Sequence, residues 1–115
     1  MSDSEVAVIT GGASGFGLAF GTECVARGMD VVLLDRDEGR VQAEAETIGA
    51  VAFGVDVTEP DQVVAAAVAV EERFGRADVV LSNVGVQLFG AVETFTDDEW
   101  RWLLDANVIG AARTA

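Results

Sequence analysis

Apolar and polar positions fall into blocks along the chain, and the period of the pattern changes from block to block. Val6-Ala7-Val8-Ile9 is a short uninterrupted apolar run, the pattern of a strand covered on both faces. From Gly15 to Arg27 the apolar residues Phe16, Ala19, Phe20 and Cys24 recur at helical spacing, and Gly28 supplies a stop. Val31 to Leu34 repeats the buried-strand pattern and ends in Asp35. Residues Glu38 to Ile48 are polar and helix-friendly, with Val41, Ala45 and Ile48 as the inner stripe and Gly49 after them. A third strand is predicted over Val51–Val55. A helix over Glu59–Phe74 follows, with Val63, Val64, Ala67, Val70 and Phe74 facing inward and Gly75 closing it; Thr58 and Asp61 read as a capping pair, with Pro60 in the first turn. Asp78 to Leu81 is the fourth strand. Leu88 to Phe95 reads as a loop, after which Thr96 and Glu99 form a capping box for a helix running through Trp100, Leu103, Leu104, Asn107 and Val108. One of Trp100 and Trp102 is expected in the core.

Strands alternating with helices are repeated βαβ units, which imply an α/β fold with a parallel sheet. Right-handed crossovers place the first three strands in the order 3-2-1 and the fourth on the other side of the first, giving a three-layer, Rossmann-like doubly wound sheet of order 3-2-1-4. The crevice where the order reverses lies at the carboxyl ends of the strands. Gly11, Asp35, Asp56 and Asn83 all sit at such ends.

The first of those ends carries Thr10-Gly11-Gly12-Ala13-Ser14-Gly15-Phe16-Gly17. Where a strand turns into a helix, the first helical N–H groups are unpaired and carry the positive end of the macrodipole, so an anion such as pyrophosphate is stabilised there. Gly11, Gly15 and Gly17 fit the need for bare backbone, either as a tight structural turn or as a phosphate loop, although their spacing is G-x-x-x-G-x-G. Asp35, about 20 positions after Gly15, is placed to accept bonds from ribose hydroxyls and to repel a 2′-phosphate; the other reading is a cap for the next helix. Arg36 beside it is able to pair with a 2′-phosphate, stack near a base or point into water. NAD is therefore favoured, with NADP possible.

Composition narrows the classes. The 115 residues allow at most one domain, residues 1–115, short for a complete doubly wound sheet. Half are hydrophobic, which excludes a disordered chain, yet the apolar runs are too short to span a bilayer. Met1 to Glu5 is polar and acidic where a targeting segment would be basic, so the expected compartment is the cytoplasm. A formal charge of −13 argues against nucleic acid or an anionic membrane as partner. All seven basic residues are arginine, and the chain has no lysine, tyrosine or histidine. The lysine of a P-loop is thus missing, and Cys24, the one cysteine, has no histidine as base and reads as a small buried filler. No metal-ligating set is read.

The run Thr10-Gly11-x-x-x-Gly15-x-Gly17 after a first strand resembles the cofactor loop of the short-chain dehydrogenase/reductase family. The resemblance implies that Gly11, Ser14, Gly15, Phe16 and Gly17 hold the pyrophosphate and adenosine ribose of NAD or NADP. It further implies that Asp56 and Val57 contact the adenine, unless Asp56 only helps to cap the next helix. Ser82-Asn83-Val84-Gly85 resembles the family's Asn-Asn-Ala-Gly turn, with Asn83 and Gly85 matching and Ser82 and Val84 departing. Asn107-Val108-x-Gly110 resembles its Asn-Val-x-Gly segment, whose Asn organises a water in the proton relay; a core-facing polar residue bonded to nearby backbone is the alternative.

In this family a tyrosine transfers the proton, a lysine lowers its pKa, and a serine orients a carbonyl substrate. The resemblance implies an NAD(P)-dependent oxidoreductase acting on an alcohol or ketone, homo-oligomeric in full-length form, and with Tyr and Lys absent it implies that this chain is the cofactor-binding half. It further implies an exposed, apolar fourth strand. A non-catalytic dinucleotide-binding module and a Rossmann-like methyltransferase fragment are the competing expectations.

Overall fold

Each short apolar run forms a strand of one parallel sheet: β1 (Val6–Thr10), β2 (Asp30–Asp35), β3 (Val51–Gly54) and β4 (Val79–Leu81), ordered β3-β2-β1-β4. The computed structural model describes residues 4–115; of the polar opening segment, Met1, Ser2 and Asp3 lie outside the described residues. Val8 stands opposite Val32 on one side and Val80 on the other, while Leu33 stands opposite Ala52. Between the strands run α1 (Gly15–Ala26), α2 (Glu38–Ile48) and α3 (Pro60–Phe74); after β4 come a 3-10 turn (Val92–Thr94), α4 (Asp97–Leu104), a π-helical segment (Asp105–Ile109) and α5 (Gly110–Thr114).

Side chains alternate across a strand, so an unbroken apolar run feeds two cores. Ala7, Ile9, Val31, Leu33 and Ala52 point to one face and pack with Cys24 of α1 and with Val41 and Ala45 of α2. Val8, Val32 and Leu34 point to the other and pack with Val55 and with Ala66 and Val70 of α3. Two crossovers in one direction and one in the other put α1 and α2 on the first face and α3 on the second, which gives three layers. Gly49 and Gly75 close α2 and α3 in left-handed conformation, as expected.

The inner stripes differ from the expected ones. In α1 the buried residues are Gly17, Gly21 and Cys24, whereas Phe16 is 71% exposed and Ala19 also faces out. The helix lies so close to the sheet that a Cβ on Gly21 would stand 2.9 Å from Leu33 Cδ2, so the facing positions must be bare. In α3, Ala66 and Val70 are buried with Val63 and Phe74 beside them, while Val64 and Ala67 are exposed. That helix is apolar on several sides, and only its contact with Val8, Val32 and Leu34 selects a face.

Thr58 and Asp61 do not cap α3. Glu59 occupies the cap position without a side-chain bond, Pro60 opens the helix, and Thr58 bonds back to Asp56. Neither tryptophan reaches the core: Trp100 is 39% and Trp102 36% exposed, and Trp100 meets Phe95 edge-to-face at 5.7 Å. The Thr96–Glu99 capping box forms as expected, but the helix it starts is not uniform, because the π-helical segment interrupts it at Asn107.

Candidate functional site

The carboxyl end of β1 is tied to both neighbouring strands. Thr10, 1% exposed, accepts a bond at Oγ1 from Asn83 N at 2.9 Å and donates to Leu81 O at 3.4 Å. Asn83 Nδ2 donates to Gly11 O at 3.3 Å. From β2, Leu34 O accepts from Gly12 N at 3.0 Å and Asp35 Oδ2 accepts from Ala13 N at 3.1 Å. The glycine loop is thus strapped from two sides before α1 begins.

At the head of α1, Ser14 is extended and forms no side-chain cap, so the protein leaves the leading N–H groups of the helix to an external acceptor. Gly15 has φ +55°, a conformation costly for other residues, and nothing lies within 4 Å of where its Cβ would stand. Gly17 serves the opposite purpose. Its Cβ would fall 2.3 Å from Gly11 O, so the bare residue lets the helix start directly beneath the loop.

A cleft of about 370 Å³ opens beside this head. Of the predicted site residues, Gly11, Ser14, Asp35, Arg36, Asp56, Val57, Asn83 and Gly85 line it. Gly15, Phe16 and Gly17 do not line the cleft: Gly15 and Phe16 are exposed at the helix head and Gly17 is buried below. Asp35 does not cap α2, a task performed by Asp37; its Oδ1 receives Asp37 N at 3.0 Å while its Oδ2 holds Ala13 N, so one carboxylate ties the turn after β2 to the glycine loop. Asp56 Oδ1 accepts from Thr58 Oγ1 at 2.7 Å and Thr58 N at 2.9 Å. The Thr58 hydroxyl, with help from the Arg36 charge, holds the Asp56 carboxyl below the usual carboxylate range despite its partial burial. Asp56 is therefore an ionised acceptor at neutral pH.

Asn107 stands behind the Gly85 turn. Its Oδ1 accepts from Val86 N at 2.8 Å and its Nδ2 donates to Val86 O at 2.9 Å, the pairing with nearby backbone that its sequence context allowed, although the residue is exposed and not core-facing. Arg113 Nη1 donates to Val57 O at 3.1 Å and to Asp105 Oδ1 at 3.3 Å, fixing α5 against the loop after β3.

Val86, Trp102 and Ala106 also line the cleft and belong to no motif of the sequence, while Thr10, the first residue of the glycine-loop run, holds Asn83, and Thr58, expected in a capping pair, holds Asp56. Trp102 and Ala106 are four apart, one turn of helix, and that spacing is the signal that would have paired them. Among the described residues no helix is long and apolar enough to cross a membrane.

Residues 5–115 match the short chain dehydrogenase family profile. The chain is 36% identical over 112 residues to 2-(S)-hydroxypropyl-CoM dehydrogenase 3 of Xanthobacter autotrophicus, which covers 93% of this chain and 44% of that protein. A short-chain dehydrogenase/reductase from Burkholderia phymatum, solved in complex with NAD, superposes with a TM-score of 0.90 at 39% identity, covering 97% of this chain and 42% of that one. L-sorbose reductase from Gluconobacter frateurii, solved with NADPH and L-sorbose, superposes with a TM-score of 0.92 at 30% identity, covering 97% and 45%. The chain thus spans a little under half the length of these relatives. Sheet order, glycine loop and profile agree over nearly every residue, and the chain belongs to the short-chain dehydrogenase/reductase family.

Proposed function

We propose that residues 1–115 are the dinucleotide-binding domain of an NAD(P)-dependent oxidoreductase, which transfers hydride between a nicotinamide and a small alcohol or carbonyl substrate. One observation carries this reading: Ser14, at the uncapped head of α1, lines one cleft with Asp35 and Asp56, and the space above Gly15 beside it is open. The chain offers a diphosphate no lysine, and the Gly11–Gly17 loop offers it backbone N–H groups. Asp35 retains lone pairs for ribose hydroxyls beside its two backbone bonds, which favours NAD over NADP. Asp56 and Val57 take the adenine, and Asn83 and Gly85 form the wall along the ribose. Bound there, the dinucleotide would supply the hydride donor or acceptor.

Asn107 fixes Val86 and with it that wall, and is assigned the water-organising role in the proton relay that the resemblance implies. The tyrosine and lysine of that relay are not among these 115 residues. The cytoplasm is the proposed compartment. The exposed apolar residues Leu104, Val108 and Ile109 form a face for homo-oligomer contact.

Calorimetric titration with NADH, NADPH and S-adenosylmethionine tests the proposal. NADH is expected to bind, Gly15→Val to abolish binding, and Asp35→Ala to lower discrimination against NADPH. Binding of S-adenosylmethionine alone, or unchanged NADH affinity in the Gly15→Val chain, overturns it.

A further inference from the structure

Trp102 is an anomaly of the cleft. It is a large apolar side chain left 36% exposed on the wall, and among the described residues its indole N–H finds no acceptor and its ring no aromatic partner. Trp100, two positions earlier, is by contrast engaged by Phe95. The cleft residues that accompany Trp102 are Ala106 on the same helix and, from the loop after β3, Asp56, Val57 and Thr58. Val57 and Ala106 are both 4% exposed and make an apolar floor, whereas Asp56 is an ionised acceptor at the rim. An apolar slot with one acceptor and one unpartnered indole is suited to a flat, uncharged heteroaromatic ring that carries an amine.

Resting on the dinucleotide reading above, we propose that Trp102 is the outer wall of the base pocket, its indole packed against the adenine ring whose exocyclic amine faces Asp56. Stacking on an aromatic side chain tolerates any base, so Asp56 supplies selectivity and Trp102 supplies affinity. The position is held from behind, because Arg113 bonds both Val57 O and Asp105 Oδ1 and so keeps the helix of Trp102 and Ala106 against the loop.

The test titrates ADP-ribose, which carries the base, and nicotinamide mononucleotide, which does not, into the 115-residue chain and its Trp102→Ala and Trp102→Phe variants, with far-UV circular dichroism confirming the fold. Trp102→Ala is expected to weaken ADP-ribose about tenfold. Trp102→Phe should restore most of that affinity, and nicotinamide mononucleotide should be indifferent to both changes. In a Trp100→Phe chain the remaining tryptophan emission should change as ADP-ribose binds. Equal ADP-ribose affinity in the parent and Trp102→Ala chains overturns the role of Trp102 alone. Failure of the parent to bind either ADP-ribose or NADH overturns the dinucleotide reading, and this proposal with it.

Discussion

At the scale of single residues, the glycines of the loop perform separate tasks that their spacing does not distinguish. Gly15 has left-handed backbone and open space above it; Gly17 has neither, and sits under the Gly11 carbonyl. A side chain at Gly17 therefore meets backbone, which cannot rotate away as a side chain would. Gly17→Ala is expected to destabilise the chain by at least about 3 kcal/mol in urea unfolding, the upper end of overpacking costs. Gly15→Ala should cost only about 1–2 kcal/mol, the penalty of left-handed backbone. Equal midpoints for the two variants would contradict this division. Asp35 is likewise more than a ribose acceptor, because its carboxylate receives both Ala13 N and Asp37 N.

At the scale of elements, α4 shows how local chemistry starts a helix and tertiary contact reshapes it. Three acidic residues and the Thr96–Glu99 box satisfy its first turn, and Glu99 N donates to Thr96 Oγ1 at 3.2 Å. An eight-residue helix is marginal alone, so the cap carries weight. Thr96→Ala is expected to cost about 1 kcal/mol and to accelerate amide exchange in the first turn of α4. Unaltered exchange there would show that packing alone holds the element. Farther on, Asp105 and Arg113 are eight residues apart and would diverge by roughly 80° on a regular α-helix. The π-helical segment adds a residue between them and brings them together beneath Val57.

At the scale of the whole molecule, the two faces of the sheet are unequally covered. Val79 and Leu81 of β4 pack under the first face, but Val80, pointing to the second, is 43% exposed, and β4 has β1 as its only strand neighbour among the described residues. An edge with apolar surface beside it invites pairing with another chain. The net charge of −13 opposes that association through repulsion that salt screens, the Debye length falling from about 8 Å near physiological salt to about 3 Å at 1 M. Sedimentation velocity is therefore expected to show self-association that grows with salt, and Val80→Lys to suppress it. A parent chain monomeric at every salt concentration would contradict the edge argument.

The sequence alone determined the strands, their parallel order and the crevice at which Gly11, Asp35, Asp56 and Asn83 meet, because unbroken apolar runs, glycine stops and crossover handedness are local or topological rules. It also fixed the cap at Thr96, whose partners lie within one turn. Only the tertiary structure decided which side of α1 and α3 turns inward, since hydrophobic periodicity cannot register a bare glycine chosen for close approach, nor select among several apolar faces. The contacts that finish the site, Thr10 with Asn83, Asn107 with Val86 and Arg113 with Val57, join residues far apart in the chain. Such pairings depend on where strands and helices come to rest, and spacing along the chain carries no trace of them.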